Sequence, residues 1–241
     1  GADRHIMNRG GGNYAAQLGS GAITELELNP VPVSGLAGGV SSMALGASHT
    51  CAAYNGAALC WGFGYYGEIG NGISGTYDKY PTPQTVIGLG SGVTQVAAGS
   101  NFTCALANGA VKCWGRNDAG QLGNNTTADA ASPVQVSGLE SGVSAIATNT
   151  SYACAIASGA VKCWGATPLF KALAPQTVKY LESGVLELAA GNVILLARTA
   201  DGVYGLGANN YGLLGAPVAT GPAAPLPLLG FGPSPELRLQ A

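Results

Sequence analysis

The sequence predicts an all-β fold of short hairpins arranged in repeats, on three observations. Glycine supplies 39 of 241 residues, roughly one in six against an average of about 7%, and each glycine costs about 1 kcal/mol in a helix interior. Four short sequence blocks recur in the same order at intervals of 53, 50 and 42 residues, measured between Val40, Val93, Val143 and Val185. Asn-Gly or Ser-Gly stands midway between the two members of each of three cysteine pairs, and Asn-Gly is a strong two-residue hairpin signal.

The blocks occur in a fixed order. The first is Gly-Val-Ser-Ser at 39–42, Gly-Val-Thr-Gln at 92–95, Gly-Val-Ser-Ala at 142–145 and Gly-Val-Leu-Glu at 184–187. Next come His-Thr-Cys-Ala at 49–52, Phe-Thr-Cys-Ala at 102–105 and Tyr-Ala-Cys-Ala at 152–155, each opening a strand. Cys-Trp-Gly at 60–62, 113–115 and 163–165 closes the returning strand. The last block is Gly-Glu-Ile-Gly at 67–70, Gly-Gln-Leu-Gly at 120–123 and Gly-Leu-Leu-Gly at 212–215; the third repeat lacks it, which accounts for its shorter spacing. The repeat units run over about 20–72, 73–125, 126–167 and 168–216, with incomplete segments at 1–19 and 217–241.

Pairing outward from Asn55-Gly56, Asn108-Gly109 and Ser158-Gly159 sets Cys51 opposite Cys60, Cys104 opposite Cys113 and Cys154 opposite Cys163. Each cysteine pair is the fourth from its turn, an open pair with Cα atoms about 4.5 Å apart, at the short end of the disulfide range. Three intra-hairpin disulfides are therefore expected, and with them an oxidising compartment. The other readings are half a zinc shell, which the two histidines, His5 and His49, do not complete, and buried free thiols.

Charged residues make up 9% of the chain and the net charge is −2. Ten cations argue against nucleic acid, which requires clustered Lys and Arg, and no run of apolar residues is long enough for a membrane-spanning helix. No nucleophile–base pair, Walker loop or metal cluster stands out, so neither enzyme nor cofactor is expected. His49 stands where Phe102 and Tyr152 stand elsewhere, and Glu68 stands where Gln121 does; both read as packing residues. Trp61, Trp114 and Trp164 share one repeat position, which favours packing over ligand stacking. The first full repeat carries an aromatic insertion, with Phe63, Tyr65, Tyr66, Tyr77 and Tyr80. These residues either form a binding surface, as loop tyrosines often do, or cap a longer repeat.

The ordered set Gly-Val, Thr-Cys-Ala-Leu, Asn-Gly, Val-Lys-Cys-Trp-Gly and Gly-Gln-Leu-Gly, best formed over 92–138, resembles the regulator-of-chromosome-condensation repeat. Secreted bacterial members look similar, with cysteines at both hairpin positions. The resemblance implies an all-β β-propeller in which each repeat is a four-stranded blade. Family rings usually have seven blades, more than this length can make. Four units, with half-blades at 8–19 and at Pro235–Leu239, suggest about five blades closed by joining the termini; the rival is an open arc or a fragment of a seven-bladed ring. The last full unit keeps the turn at Asp201-Gly202 but loses the cysteines and the tryptophan.

The namesake's exchange-factor activity is not carried over, because paired cysteines and few cations oppose a nuclear, chromatin-bound chain. The expected function is a non-catalytic extracellular binding or adhesion module whose blade loops meet a protein or glycan. The alternatives are a structural subunit of a self-assembling filament or surface layer, and a secreted inhibitor, since β-lactamase-inhibitory proteins use a related scaffold. Assembly would pass through the terminal half-blades and bury the apolar stretch Ala223–Phe231 between copies.

Overall fold

The structure, a computed structural model, describes residues 7–8, 12–191, 194–207 and 226–227. Within them every helix or strand assigned is a strand. Four four-stranded sheets follow one another, each an antiparallel meander in chain order. Blade I comprises β3 (Val40–Leu45), β4 (His49–Tyr54), β5 (Ala57–Phe63) and β6 (Lys79–Thr85). Blade II comprises β7 (Val93–Ala98), β8 (Phe102–Ala107), β9 (Ala110–Gly115) and β10 (Ala130–Gln135). Blade III comprises β11 (Val143–Thr148), β12 (Tyr152–Ala157), β13 (Ala160–Ala166) and β14 (Lys171–Thr177). Blade IV comprises β15 (Val185–Ala190), β16 (Ile194–Thr199), β17 (Gly202–Gly207) and β18 (Leu226–Pro227). Ahead of them β1 (Met7–Asn8) pairs with β2 (Val31–Pro32).

The sheets straddle the sequence repeats, because the fourth strand of each blade comes from the start of the next unit. Those outer strands contain Pro81 and Pro83, Pro133, and Pro175, residues that a sheet tolerates at its edge, where no ladder donor is missed. The central hairpins follow the expected register, with Cys51 opposite Cys60, Cys104 opposite Cys113 and Cys154 opposite Cys163. All three pairs are disulfides, with Cα atoms 4.0–4.1 Å apart. At the turns, Asn108 and Gly109 have φ of 52° and 77°, the two positive values of a type I′ hairpin.

The core lies between blades. One cluster joins Cys51, Ala53, Cys60 and Ile69 of blade I to Val96, Ala105 and Trp114 of blade II. Equivalent clusters join blades II and III through Trp164, and blades III and IV through Tyr152, Leu195 and Leu206. Trp61 packs with Val33 and Leu36, the residues just after β2. Each blade thus has two apolar faces, and its stability depends on neighbours.

The expected half-blade strand at Pro235–Leu239, the block at 212–215 and most of the apolar stretch 223–231 lie outside the described residues. No helix among the described residues is long and apolar enough to cross a membrane, which says nothing of strands.

Candidate binding surface

The loop between β5 and β6 is built on the Gly-Glu-Ile-Gly block. Gly67 N–H bonds Gly64 O at 3.0 Å and Gly70 N–H bonds Gly67 O at 2.9 Å, giving two successive tight turns. Ile69 is the buried anchor, and Gly75 N–H returns to Tyr65 O at 2.7 Å, closing the longer insertion on itself. The side chain of Glu68 accepts the Tyr66 N–H at 2.7 Å. Gln121 does the same for Ala119 in blade II, and Gln17 for Ala15 ahead of blade I.

On this frame four of the five aromatic residues singled out from the sequence meet. The Tyr65 ring lies 5.1 Å from Tyr66, edge to face, and 4.9 Å from Tyr77, which in turn lies 6.2 Å from Phe63. Tyr77 is 79% exposed. Tyr80 goes elsewhere: it lies in the return strand β6 and packs against the core between blades I and II.

Blade II completes the surface with two residues that the sequence reading missed. The Arg116 guanidinium stands 5.1 Å from the centre of the Tyr66 ring and pairs with Asp118 at 2.6 Å. Burial alone would push the Asp118 carboxyl up, but hydrogen bonds from Arg116 and Gln121 outweigh it and hold the group below its ordinary range. A signal was present: counted from Gly62 and Gly115, Arg116 and Asp118 occupy the places of Phe63 and Tyr65 one repeat on.

Glu68 ties this surface to the seam between blades. Its carbonyl oxygen accepts both the Trp114 indole N–H at 2.8 Å and the Thr103 hydroxyl at 3.1 Å. Its carboxyl is fully enclosed, and burial pushes the pKa up to about 7, with Asp129 adding to the rise and the Tyr66 N–H and Asn101 opposing it. One carboxyl oxygen, Oε1, has no well-formed hydrogen bond. Thr103 also meets His49, whose Nε2 lies 2.9 Å from the hydroxyl oxygen. Because Thr103 gives its one proton to the Glu68 carbonyl, Nε2 donates, an assignment that rests on the network. His49 is buried with Nδ1 unpartnered, and burial lowers its pKa to about 4.

The tryptophans form a series. Trp61 Nε1 donates to Gln17 O at 2.9 Å, Trp114 to Glu68 O at 2.8 Å and Trp164 to Gln121 O at 2.8 Å. Each indole thus latches its blade to the glycine block of the one before. A Cβ on Gly123 would stand 2.7 Å from the Trp164 ring, so the block ends in glycine where the indole lies on it. Among the described residues no three His, Cys, Asp or Glu side chains are grouped to hold a metal ion.

Residues 55–106 and 108–156 match the model of the regulator of chromosome condensation (RCC1) repeat, and a second RCC1 repeat model matches 93–121. The ultraviolet-B receptor UVR8 of Arabidopsis thaliana is 37% identical over 123 residues, covering 48% of this chain and 27% of the receptor. The human E3 ubiquitin-protein ligase HERC2 is 35% identical over 129 residues, 52% of this chain and 3% of the ligase. Among solved structures, human WBSCR16 superposes with a TM-score of 0.78 at 21% identity, covering 94% of this chain and 63% of that one. Prp20p of Saccharomyces cerevisiae gives 0.72 at 22% identity, covering 97% and 60%. The chain therefore spans about three fifths of these two structures and far less of the curated relatives. Residues 55–156 of this chain are thus RCC1-type repeats, and its blades have the β-propeller fold of these solved structures.

Proposed function

We propose that this chain is a non-catalytic binding module, acting outside the cell, that presents the aromatic loop of blade I to a protein partner. The observation that carries this reading is the packed group Phe63, Tyr65, Tyr66 and Tyr77, with Tyr77 mostly in solvent and Arg116 stacked on Tyr66. Tyrosine and arginine are enriched at protein interfaces, and tyrosine offers a large contact area at low entropy cost. With a net charge of −2 and 9% charged residues, attraction over a distance is weak, and recognition rests on contact. The three buried disulfides favour an oxidising compartment. A similar propeller, yeast RCC1 (Prp20), was solved bound to the protein Kap60, which fits a scaffold that presents surfaces to proteins.

Pairing of copies edge to edge is a weaker reading, because Pro81, Pro83, Pro133 and Pro175 stand on the outer strands and proline blunts such edges. The test is affinity capture from the native extracellular fraction by the wild-type chain and by a Tyr65→Ala/Tyr77→Ala variant with unchanged circular dichroism. The proposal expects a partner held by the wild type and lost by the variant. Equal capture by both, or none by either, would overturn it.

A further inference from the structure

Successive seams between blades are not alike. At the seams ahead of blades I, II and III two devices recur, and a third links the inner strands of blades I and II and of blades II and III. The indole of the later blade donates to the glycine-block carbonyl of the earlier one. The residue two past the block donates its N–H to the outer strand of the later blade: Gly21 to Pro81 O at 2.8 Å, Gly72 to Ala131 O at 3.0 Å and Asn125 to Leu173 O at 2.9 Å. On the inner strands, Ser42 bonds both the N–H and the carbonyl of Val96, and Gln95 does the same for Ile146 at 2.9 and 2.8 Å.

At the seam between blades III and IV both sides of the latch are missing together. The loop from β13 to β14 is four residues, Thr167–Phe170, with no glycine block. Across from it, the tryptophan position in β17 holds Leu206. The inner-strand position of Ser42 and Gln95 is Ala145, whose methyl group cannot bond the next blade. Among the described residues this seam keeps the apolar cluster, the Val185 N–H to Gly159 O bond at 3.0 Å, the Tyr152 hydroxyl at 2.6 Å from Gly191 O and 3.3 Å from Ile194 O, and a long Asn149 side-chain bond to Ala190 O at 3.5 Å.

We infer that the seam between blades III and IV is the hinge of this propeller, where blade IV separates from the latched body formed by blades I to III. The acceptor block and the donor indole are lost at one seam, whereas independent decay would scatter such losses. A blade parted from its neighbour exposes an apolar face and loosens its own ladder, so opening is visible as amide exchange.

Hydrogen exchange on the intact chain tests this. Amides of β16 and β17 should exchange at least tenfold faster than those of β8 and β9. Ala145→Gln offers the next blade the two bonds that Gln95 makes, and should slow exchange in blade IV roughly tenfold while leaving blade II unchanged. Gln95→Ala weakens a latched seam, and should raise exchange in β12 and β13 toward the level of blade IV. Equal protection of blades II and IV in the wild type would overturn the inference. So would a folded Ala145→Gln that leaves blade IV unchanged, or a Gln95→Ala that leaves blade III unchanged.

Discussion

The Trp114 indole of blade II donates to the Glu68 carbonyl of blade I across 2.8 Å, inside a seam from which both residues exclude solvent. Trp61 with Gln17 and Trp164 with Gln121 repeat the bond. The three acceptors differ in their second partner. Thr103 also donates to Glu68 O and Thr50 to Gln17 O, while Ala153 stands at the equivalent place in blade III.

Trp164→Phe should therefore cost more than Trp114→Phe, by about 1 kcal/mol, because the Gln121 carbonyl loses its indole donor with no hydroxyl behind it. Chemical denaturation of the two variants checks the order. Equal losses would mean that the indoles act through volume alone.

How much of this was legible in the residues differs from place to place. The hairpins were, since Asn108-Gly109 sets both turn and register and the cysteines then face each other. His49 and Glu68 take the repeat positions of Phe102 and Gln121, and both are buried there. The outer strands were harder to place: Lys79–Thr85 carries two prolines and no alternation, because an edge strand has few ladder bonds to satisfy. The acceptor of each indole could not be read either, since a main-chain oxygen leaves no mark in the sequence. Arg116 and Asp118 join the tyrosines only because the blades stack, a relation between residues one repeat apart.

Glu68 makes stability fall as pH rises. Its folded pKa is raised from 4.5 to about 7, so the folded state holds the extra proton. The contribution is complete below the lower value and is lost as pH climbs through the upper, about 3 kcal/mol in all. Glu68→Gln, the residue used at positions 17 and 121, should raise the melting temperature at pH 8 and leave it nearly unchanged at pH 4. An equal change at both would contradict a buried, protonated carboxyl.

His49 acts in the opposite sense. Its pKa is lowered from 6.5 to about 4, so its contribution is complete above the higher value and is lost as pH falls through the lower. His49→Phe, the residue of the next repeat at Phe102, should flatten the acid side of the stability curve. An acid limb of unchanged slope would show that the ring is not buried in its neutral form.

Removing one disulfide by Cys104→Ala/Cys113→Ala should cost roughly 2.5–3 kcal/mol, the loop-closure value for a ten-residue loop. Non-reducing peptide mapping of the wild type should recover the three intra-hairpin pairs. A bridge between different blades would break the register.

The aromatic loop of blade I is the surface proposed to meet a partner, and tyrosine labelling of the chain alone and with its captured partner reads this directly. Tyr14, Tyr77 and Tyr180 are 61%, 79% and 56% exposed, so all three react in the free chain. Binding through blade I predicts that Tyr77 and Tyr65 become protected while Tyr180 continues to react. Protection of Tyr180 with Tyr77 unchanged would contradict it.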